Sequence, residues 1–141
     1  MSSYKEWTAE EAVERLRHAD RLIRLEAAGA LAALGRKAKT AVPALIAALE
    51  DAEAPVRKMA ALALGDIGRR ARPAVPALVR ALQDVDGNVR RRAAIALGEI
   101  GDEDGTARVA LRQAATDPQA AVRRAAQAAL QTLSDELAQS A

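Results

Sequence analysis

The sequence predicts an all-α protein, a right-handed alpha-solenoid of four two-helix units with a 33-residue period. Composition supplies the first observation. Half of the residues are hydrophobic, yet there is no Phe and only one Trp and one Tyr. Alanine is the best helix former and lets helices approach closely, whereas strands favour β-branched and aromatic residues. Self-similarity supplies the second. Ile23-Arg24, Val56-Arg57, Val89-Arg90 and Val122-Arg123 stand one period apart, as do Leu31, Leu64, Leu97 and Leu130. Gly35, Gly68 and Gly101 keep the same step until Ser134 breaks it, and Asp51, Asp84 and Asp117 repeat likewise. The third observation is that no insertion interrupts the period. One domain over 1–141 is expected, with repeats at about 4–35, 36–68, 69–101 and 102–139.

Each unit holds two helices. In the second unit the first helix is predicted from Ala41 to Glu50, where Val42, Leu45, Ile46 and Leu49 recur at helical spacing. Thr40 is its expected N-cap, and Pro43 falls in the first turn, where a missing N–H costs little. The second helix is predicted from Ala54 to Ile67, with Pro55 at its first position and Gly68 as a left-handed stop. Val56, Ala60, Ala63, Leu64 and Ile67 form its inner stripe. A pair of helices this short cannot bury its own apolar face, so neighbouring units must stack.

The Pro-x7-Asp-x5-Arg spacing (Pro43, Asp51, Arg57; Pro76, Asp84, Arg90) resembles the HEAT repeat. The short form VRxxAxxALGxIG is similar to the HEAT-like repeats of phycobilin lyase subunits and many bacterial scaffolds. An armadillo unit needs a third helix, for which so short a period leaves no room. The end units depart from the pattern. Glu10 stands in place of Pro, His18 in place of Asp, Val109 in place of Pro and Ala115 in place of Leu, while Arg108 and Arg112 interrupt an apolar stripe. Both ends read as caps, with one face turned to water. The last helix lacks a glycine stop and is expected to continue through Leu133 and Leu137.

The resemblance implies that Asp51, Arg57, Asp84, Arg90, Asp117 and Arg123 form a hydrogen-bonded ladder between units. Charge-assisted bonds of this kind exceed neutral ones in strength. The recurring six-residue offset pairs Asp84 with Arg90, and each Asp is also placed to cap the helix that follows. Of the three arginines in "NVRRRAAIALGEIG", Arg90 therefore belongs to the scaffold. Arg91 and Arg92 align with Lys58 and Met59, and with Arg124 and Ala125, a spread that no common structural need would permit.

The resemblance further implies that the second helices line a concave face. Lys58, Met59, Leu62, Asp66, Arg91, Arg92, Ile95, Glu99, Arg124 and Ala128 are the expected partner-binding residues on it. The face continues through Ala61 and Ala94, through Gln127 and Thr132, and through Ala28, Gly29 and Ala33. Leu62 and Ile95 are informative, because two aliphatics at matching positions, rimmed by charge, suit a protein contact. The competing reading packs them against neighbouring helices. A basic edge is predicted at the far end of these helices, where Arg36, Lys37 and Lys39 align with Arg69, Arg70 and Arg72. The third such loop, Asp102 to Asp104, reverses the sign. A solvated edge that complements the helix dipoles is the plainer explanation.

Composition also narrows the chemistry. The net charge is only +2, less basic than a dedicated nucleic-acid binder. The chain has no Cys and one His, which argues against a disulfide framework, a zinc site or a thiol nucleophile. There is no long apolar run, so no membrane span, and the N-terminus has no signal-peptide core; a cytoplasmic protein is expected. His18 sits beside Asp20, Ser2, Ser3, Ser134 and Ser140 lie near the termini, and nothing signals a shifted pKa at Asp66 or Glu99. No enzyme activity, catalytic residue, cofactor or metal is expected.

The leading function is a protein-binding scaffold, a monomer or weak homo-oligomer, that takes a partner protein or peptide on its concave face. The alternative is nucleic-acid or phosphate binding through the concave arginines and the basic edge, as HEAT-like folds among DNA glycosylase relatives do. The absent aromatic platforms and interspersed acids count against it. The third is an accessory subunit of a lyase-like or cofactor-loading complex.

Overall fold

The second helix of every unit begins one full period after the last. In the computed structural model, which describes residues 6–140, these are α2 (Arg21–Leu34), α4 (Ala54–Ile67), α6 (Gly87–Ile100) and α8 (Ala120–Ser140). The first helices are α1 (Ala9–Arg15), α3 (Val42–Ala48), α5 (Val75–Ala81) and α7 (Thr106–Ala114). Two 3-10 segments, Gly35–Ala41 and Gly68–Ala74, join α2 to α3 and α4 to α5. The described residues contain no strand.

Helix α4 has the predicted bounds, but Pro55 is its second residue, because Ala54 opens the helix after an extended Glu53. The glycine stops are stricter than a left-handed cap. Gly35, Gly68 and Gly101 have φ of +54°, +75° and +98° with ψ of −129°, −139° and 176°. That corner of conformational space is close to glycine-only. The first helices are shorter than expected, and Thr40 caps nothing: the cap position is Ala41, with no side-chain bond. The 3-10 turn already brings the Lys39 carbonyl to the Val42 N–H, so a hydroxyl has no orphan donor to serve. Room therefore does exist for a third, short helical element between units, roughly two 3-10 turns long.

One apolar core runs from Ala12 in α1 to Leu133 in α8. Leu31, Leu64 and Leu97 are fully buried, and no buried residue among those described is polar or charged. The second helices pack directly on one another, α2 on α4, α4 on α6 and α6 on α8, whereas the first helices meet each other sparsely. Small residues permit this. A Cβ added to Gly65 would lie 3.1 Å from the Ala96 Cα, and one added to Gly98 would lie 2.9 Å from the Ala129 Cβ. Gly29, which stands at the position of Leu62 and Ile95 rather than that of Gly65 and Gly98, is less confined: a Cβ there would meet only the Met59 Cε, at 3.7 Å. The last unit changes character. Gln127 and Gln131 occupy the positions of Ala94 and Gly98 one period on, and both are exposed. Leu130 is only half-buried, since no further helix covers it. Helix α8 does continue past the missing glycine, with Leu133 buried but Leu137 exposed.

The ladder is present with a different partner from the one the six-residue offset suggests. Arg57 donates from Nε to Asp84 Oδ2 at 2.8 Å and from Nη2 to Oδ1 at 3.0 Å, reaching forward into the next unit. Arg24 and Asp51, and Arg90 and Asp117, repeat the bidentate pair. The six-residue offset is real but uses the backbone: Arg57, Arg90 and Arg123 each donate from Nη1 to the carbonyl of the Asp six positions back, at 2.8 Å. Each arginine thus ties its own turn to the next unit. Asp51, Asp84 and Asp117 do not cap the following helix. They accept the N–H two residues on, from Glu53, Asp86 and Gln119, closing an Asx-turn. His18 does the same job in the first unit, its Nδ1 accepting from the Asp20 N–H at 3.0 Å. The cap of α2 is Asp20 and that of α6 is Asp86.

Arg108 does not interrupt the stripe as expected. It lies over Asp102, whose side chain is 1% exposed, and donates to Asp102 Oδ2 and the Leu133 carbonyl, both at 3.1 Å. Arg112 is exposed.

Burial raises the pKa of Asp84 and Asp117, but the bonds from Arg57 and Arg90, the Asx-turn N–H and the nearby guanidinium charges outweigh it and leave both carboxyls below the ordinary value. The Asp84 bond likewise holds Arg57 above the usual guanidinium range. A depressed folded pKa means the pair stabilises fully above the unfolded value of about 3.9 and loses its effect as pH falls through the lower folded value. A double-mutant cycle of Asp84→Ala with Arg57→Ala, followed by urea unfolding at neutral pH, is expected to show coupling of about 1–3 kcal/mol. The coupling fades below about pH 4, and the cycle of Asp84→Ala with Arg90→Ala shows less. Equal coupling to both arginines would refute the forward pairing.

The glycines give a second test. Gly→Ala in a helix ordinarily stabilises by about 0.5–1 kcal/mol. Gly29→Ala is expected to follow that rule, whereas Gly98→Ala, pressed on the Ala129 backbone, lowers the thermal midpoint. The opposite signs are read in one pair of melting curves.

Candidate partner-binding face

The second helices α2, α4, α6 and α8 pack closely on one another, while the first helices meet sparsely. Helical spacing leaves one stripe of each uncovered. On α4 it carries Lys58, Leu62 and Asp66; on α6, Arg91, Ile95 and Glu99; on α8, Arg124 and Ala128. Asp66, Glu99, Arg124 and Ala128 are exposed, and Lys58, Leu62, Arg91, Arg92 and Ile95 are half-buried. Matching positions form rows across the stack: cations at Lys58, Arg91 and Arg124, aliphatics at Leu62 and Ile95, carboxylates at Asp66 and Glu99.

Several expected members do not belong to this stripe. Ala28, Ala61 and Ala94 are fully buried. They sit one turn before Ala32, Gly65 and Gly98, and therefore face the next helix. Gln127 shares their position and marks the end of the stack. Met59 and Ile95 pack against the core, Met59 by laying its Cε over Gly29. Leu62 is the half-buried aliphatic of the pair that does not join the core cluster. The competing reading thus holds for Met59 and in part for Ile95.

The 3-10 segments build the basic edge. Ala38, Ala41, Ala71 and Ala74 turn inward and are fully buried, which leaves Arg36, Lys37, Lys39, Arg69, Arg70 and Arg72 outward and exposed. Arg36, Lys37, Lys39, Arg69 and Arg70 line one groove with Ile67, Gly68 and Glu99. Arg72 stands apart, paired with Glu103 of the acidic loop. Glu99 differs from expectation, because its carboxyl is held above the ordinary value although the residue as a whole is exposed: partial desolvation of the carboxyl is the main cause and the Asp66 charge adds to it, against a weaker opposing effect of Arg92. Its Oε2 leans toward Gly65, which lies 3.4 Å from it when a Cβ is built there.

Ser134 and Ser140 lie on α8, Ser140 bonded to the Glu136 carbonyl, and Ser2 and Ser3 fall outside the described residues. No helix among those residues is long and apolar enough to cross a membrane. Sequence reasoning did not find the Asp102–Arg108 pair, in which Arg108 covers the Asp102 side chain. The sign reversal at Asp102 was the available signal, and only the fold shows that it faces inward.

A family model described as HEAT repeats matches residues 9–84 and again 67–131. No curated protein matches. Among solved structures, the complex of CpcE and CpcF of phycocyanin lyase from Nostoc sp. PCC7120 matches with a TM-score of 0.71 and 28% identity, over 94% of this chain and 67% of that one. An engineered protein matches with a TM-score of 0.70 and 28% identity, over 90% of this chain and 62% of that one. A designed armadillo repeat protein in complex with the peptide (KR)4 shares the fold, with a TM-score of 0.77 at 24% identity, over 89% of this chain and 64% of that one. The chain thus spans less than two thirds of the length of these last two.

The arginine run splits by position. Arg90 is held at both ends, by Asp117 and by the Asp84 carbonyl, whereas neither Arg91 nor Arg92 makes a side-chain hydrogen bond or ion pair among the described residues. Arg90→Ala is expected to destabilise by about 1–3 kcal/mol. The double change Arg91→Ala with Arg92→Ala shifts stability by less than about 0.5 kcal/mol. Urea midpoints of the two variants decide the matter, and a larger loss from the double change refutes the split.

Proposed function

The chain belongs to the HEAT-repeat family, and from that premise we propose that it is a non-enzymatic scaffold that holds a partner protein or peptide on the second-helix face. The observation that carries the reading is the matched pair Leu62 and Ile95. Each is left half-buried at the same position of successive units, between a row of cations and a row of carboxylates. An apolar centre with a charged rim is how protein interfaces are built, the centre excluding water and the rim setting register. The stack keeps such a face rigid, so a partner does not bear the cost of ordering it. The CpcE–CpcF complex, an assembly of protein chains, supports the class, and a designed armadillo protein of the same fold holds a peptide.

The CpcE–CpcF likeness also favours a second reading, an accessory subunit in a lyase-like or cofactor-loading complex. On that reading the same face meets a subunit rather than a free peptide. Nucleic-acid binding fits less well, because Asp66 and Glu99 lie between the concave cations and the basic edge and would repel a phosphate backbone crossing the face.

Selection of a displayed peptide library against the intact chain tests the reading. Leu62→Lys is the informative variant, since Leu62 stands off the core cluster, whereas Ile95→Glu would also disturb core packing. Selected peptides are expected to lose at least about tenfold in affinity for Leu62→Lys, or roughly 1.4 kcal/mol, with the melting curve little changed. Peptides that bind wild type and variant alike overturn the placement of the site.

A further inference from the structure

The two inter-unit grooves at the basic edge differ in one respect. Between the second 3-10 segment and the acidic loop, the chain supplies its own carboxylates: Glu103 pairs with Arg72, and Asp102 with Arg108. One period earlier, Lys39 takes the position of Arg72, and Arg70 that of Glu103. Arg36, Lys37, Lys39, Arg69 and Arg70 there make no ion pair among the described residues, and Glu99 is the one carboxylate that lines their groove. Five of the chain's 21 Lys and Arg residues thus gather around one carboxylate in a single groove.

We propose that this groove binds an acidic stretch of the partner's chain, two or three consecutive Asp or Glu residues. The inference rests on the scaffold reading and specifies the partner's chemistry. The neighbouring groove shows that a carboxylate fits a cation at this place in the fold, since Glu103 already does so on Arg72. Leu62 lies five residues before Ile67, the last residue of α4, about 8 Å along the helix axis, and the groove opens just past that end. About three residues of extended chain cover that distance. The partner motif is therefore an aliphatic residue followed, some three residues on, by an acidic pair. Glu99 opposes such a ligand and tunes its affinity downward.

The probe is a fluorescein-labelled alternating octapeptide (Glu-Asp)4, read by fluorescence anisotropy in about 50 mM salt, where screening is moderate. Wild type is expected to bind it. Combining Arg36→Gln, Lys37→Gln, Arg69→Gln and Arg70→Gln weakens binding at least about tenfold, by loss of charge-assisted bonds. A control removing the same charge from the helix face, with Lys58→Gln, Arg91→Gln, Arg92→Gln and Arg124→Gln, weakens it less than about threefold, because none of those cations lines the groove and salt screens their longer-range effect. Glu99→Gln strengthens it. Circular dichroism confirms that each variant is folded. Equal loss in both fourfold variants, no binding by wild type, or tighter binding of an octathymidylate at the same groove overturns the proposal. Library peptides that depend on Leu62 but carry no acids remove the groove and leave the scaffold reading. Octapeptide binding at the groove, with no library peptide dependent on Leu62, removes the helix face as the site.

Discussion

The close approach of the second helices governs the rest of the molecule. Gly65 lies against Ala96 and Gly98 against Ala129, and any larger pair would push the units apart. That requirement accounts for the alanine-rich, nearly aromatic-free composition, because the contact is between backbones rather than between large side chains. The variable stripe belongs to these closely packed second helices. Gln127 and Gln131 end the series by replacing an alanine and a glycine with side chains too large for another helix at that distance.

The arginine–aspartate ladder depends on that spacing. A guanidinium on one unit reaches the carboxylate of the next in a bidentate fork only because the helices stand so close. The same guanidinium holds the carbonyl that closes its own turn, so one side chain fixes both the local loop and the inter-unit register. Partial burial costs each ion solvation, and the fork, the Asx-turn N–H and the carbonyl together offset that cost. Asp84 and Asp117 remain ionised to lower pH for this reason.

Arg24, Arg57, Arg90 and Arg123 serve the scaffold, whereas the charges beside them serve the surface. Arg91 and Arg92 face outward beside Ile95, and the 3-10 segments bury their alanines and turn their cations to solvent. Structural demand and surface choice thus fall on adjacent residues of one short run. The uneven distribution of carboxylates between the two edge grooves belongs to the second kind.

The sequence by itself determined what is local and periodic. The repeat step placed α4 residue for residue, the glycines marked the helix ends, and the inner stripe Val56, Ala60, Ala63, Leu64 and Ile67 is buried as read. The separation of Arg90 from Arg91 and Arg92 was legible because no other unit keeps both: Leu25 and Glu26, Lys58 and Met59, and Arg124 and Ala125 stand there instead. Tertiary structure alone decided which partner each residue meets. In a perfect repeat, the aspartate shortly before Arg57 and the one in the following unit are the same position modulo the period, so the pattern does not tell them apart. Only the distance between stacked units selects Asp84. The same holds for Ala28, Ala61 and Ala94, which a helical wheel places at the margin of the open stripe and the next helix covers. It holds too for Asp102, whose sign reversal reads as surface until Arg108 is brought over it. Periodicity fixes what recurs within a unit, while the contacts between units depend on how closely those units approach.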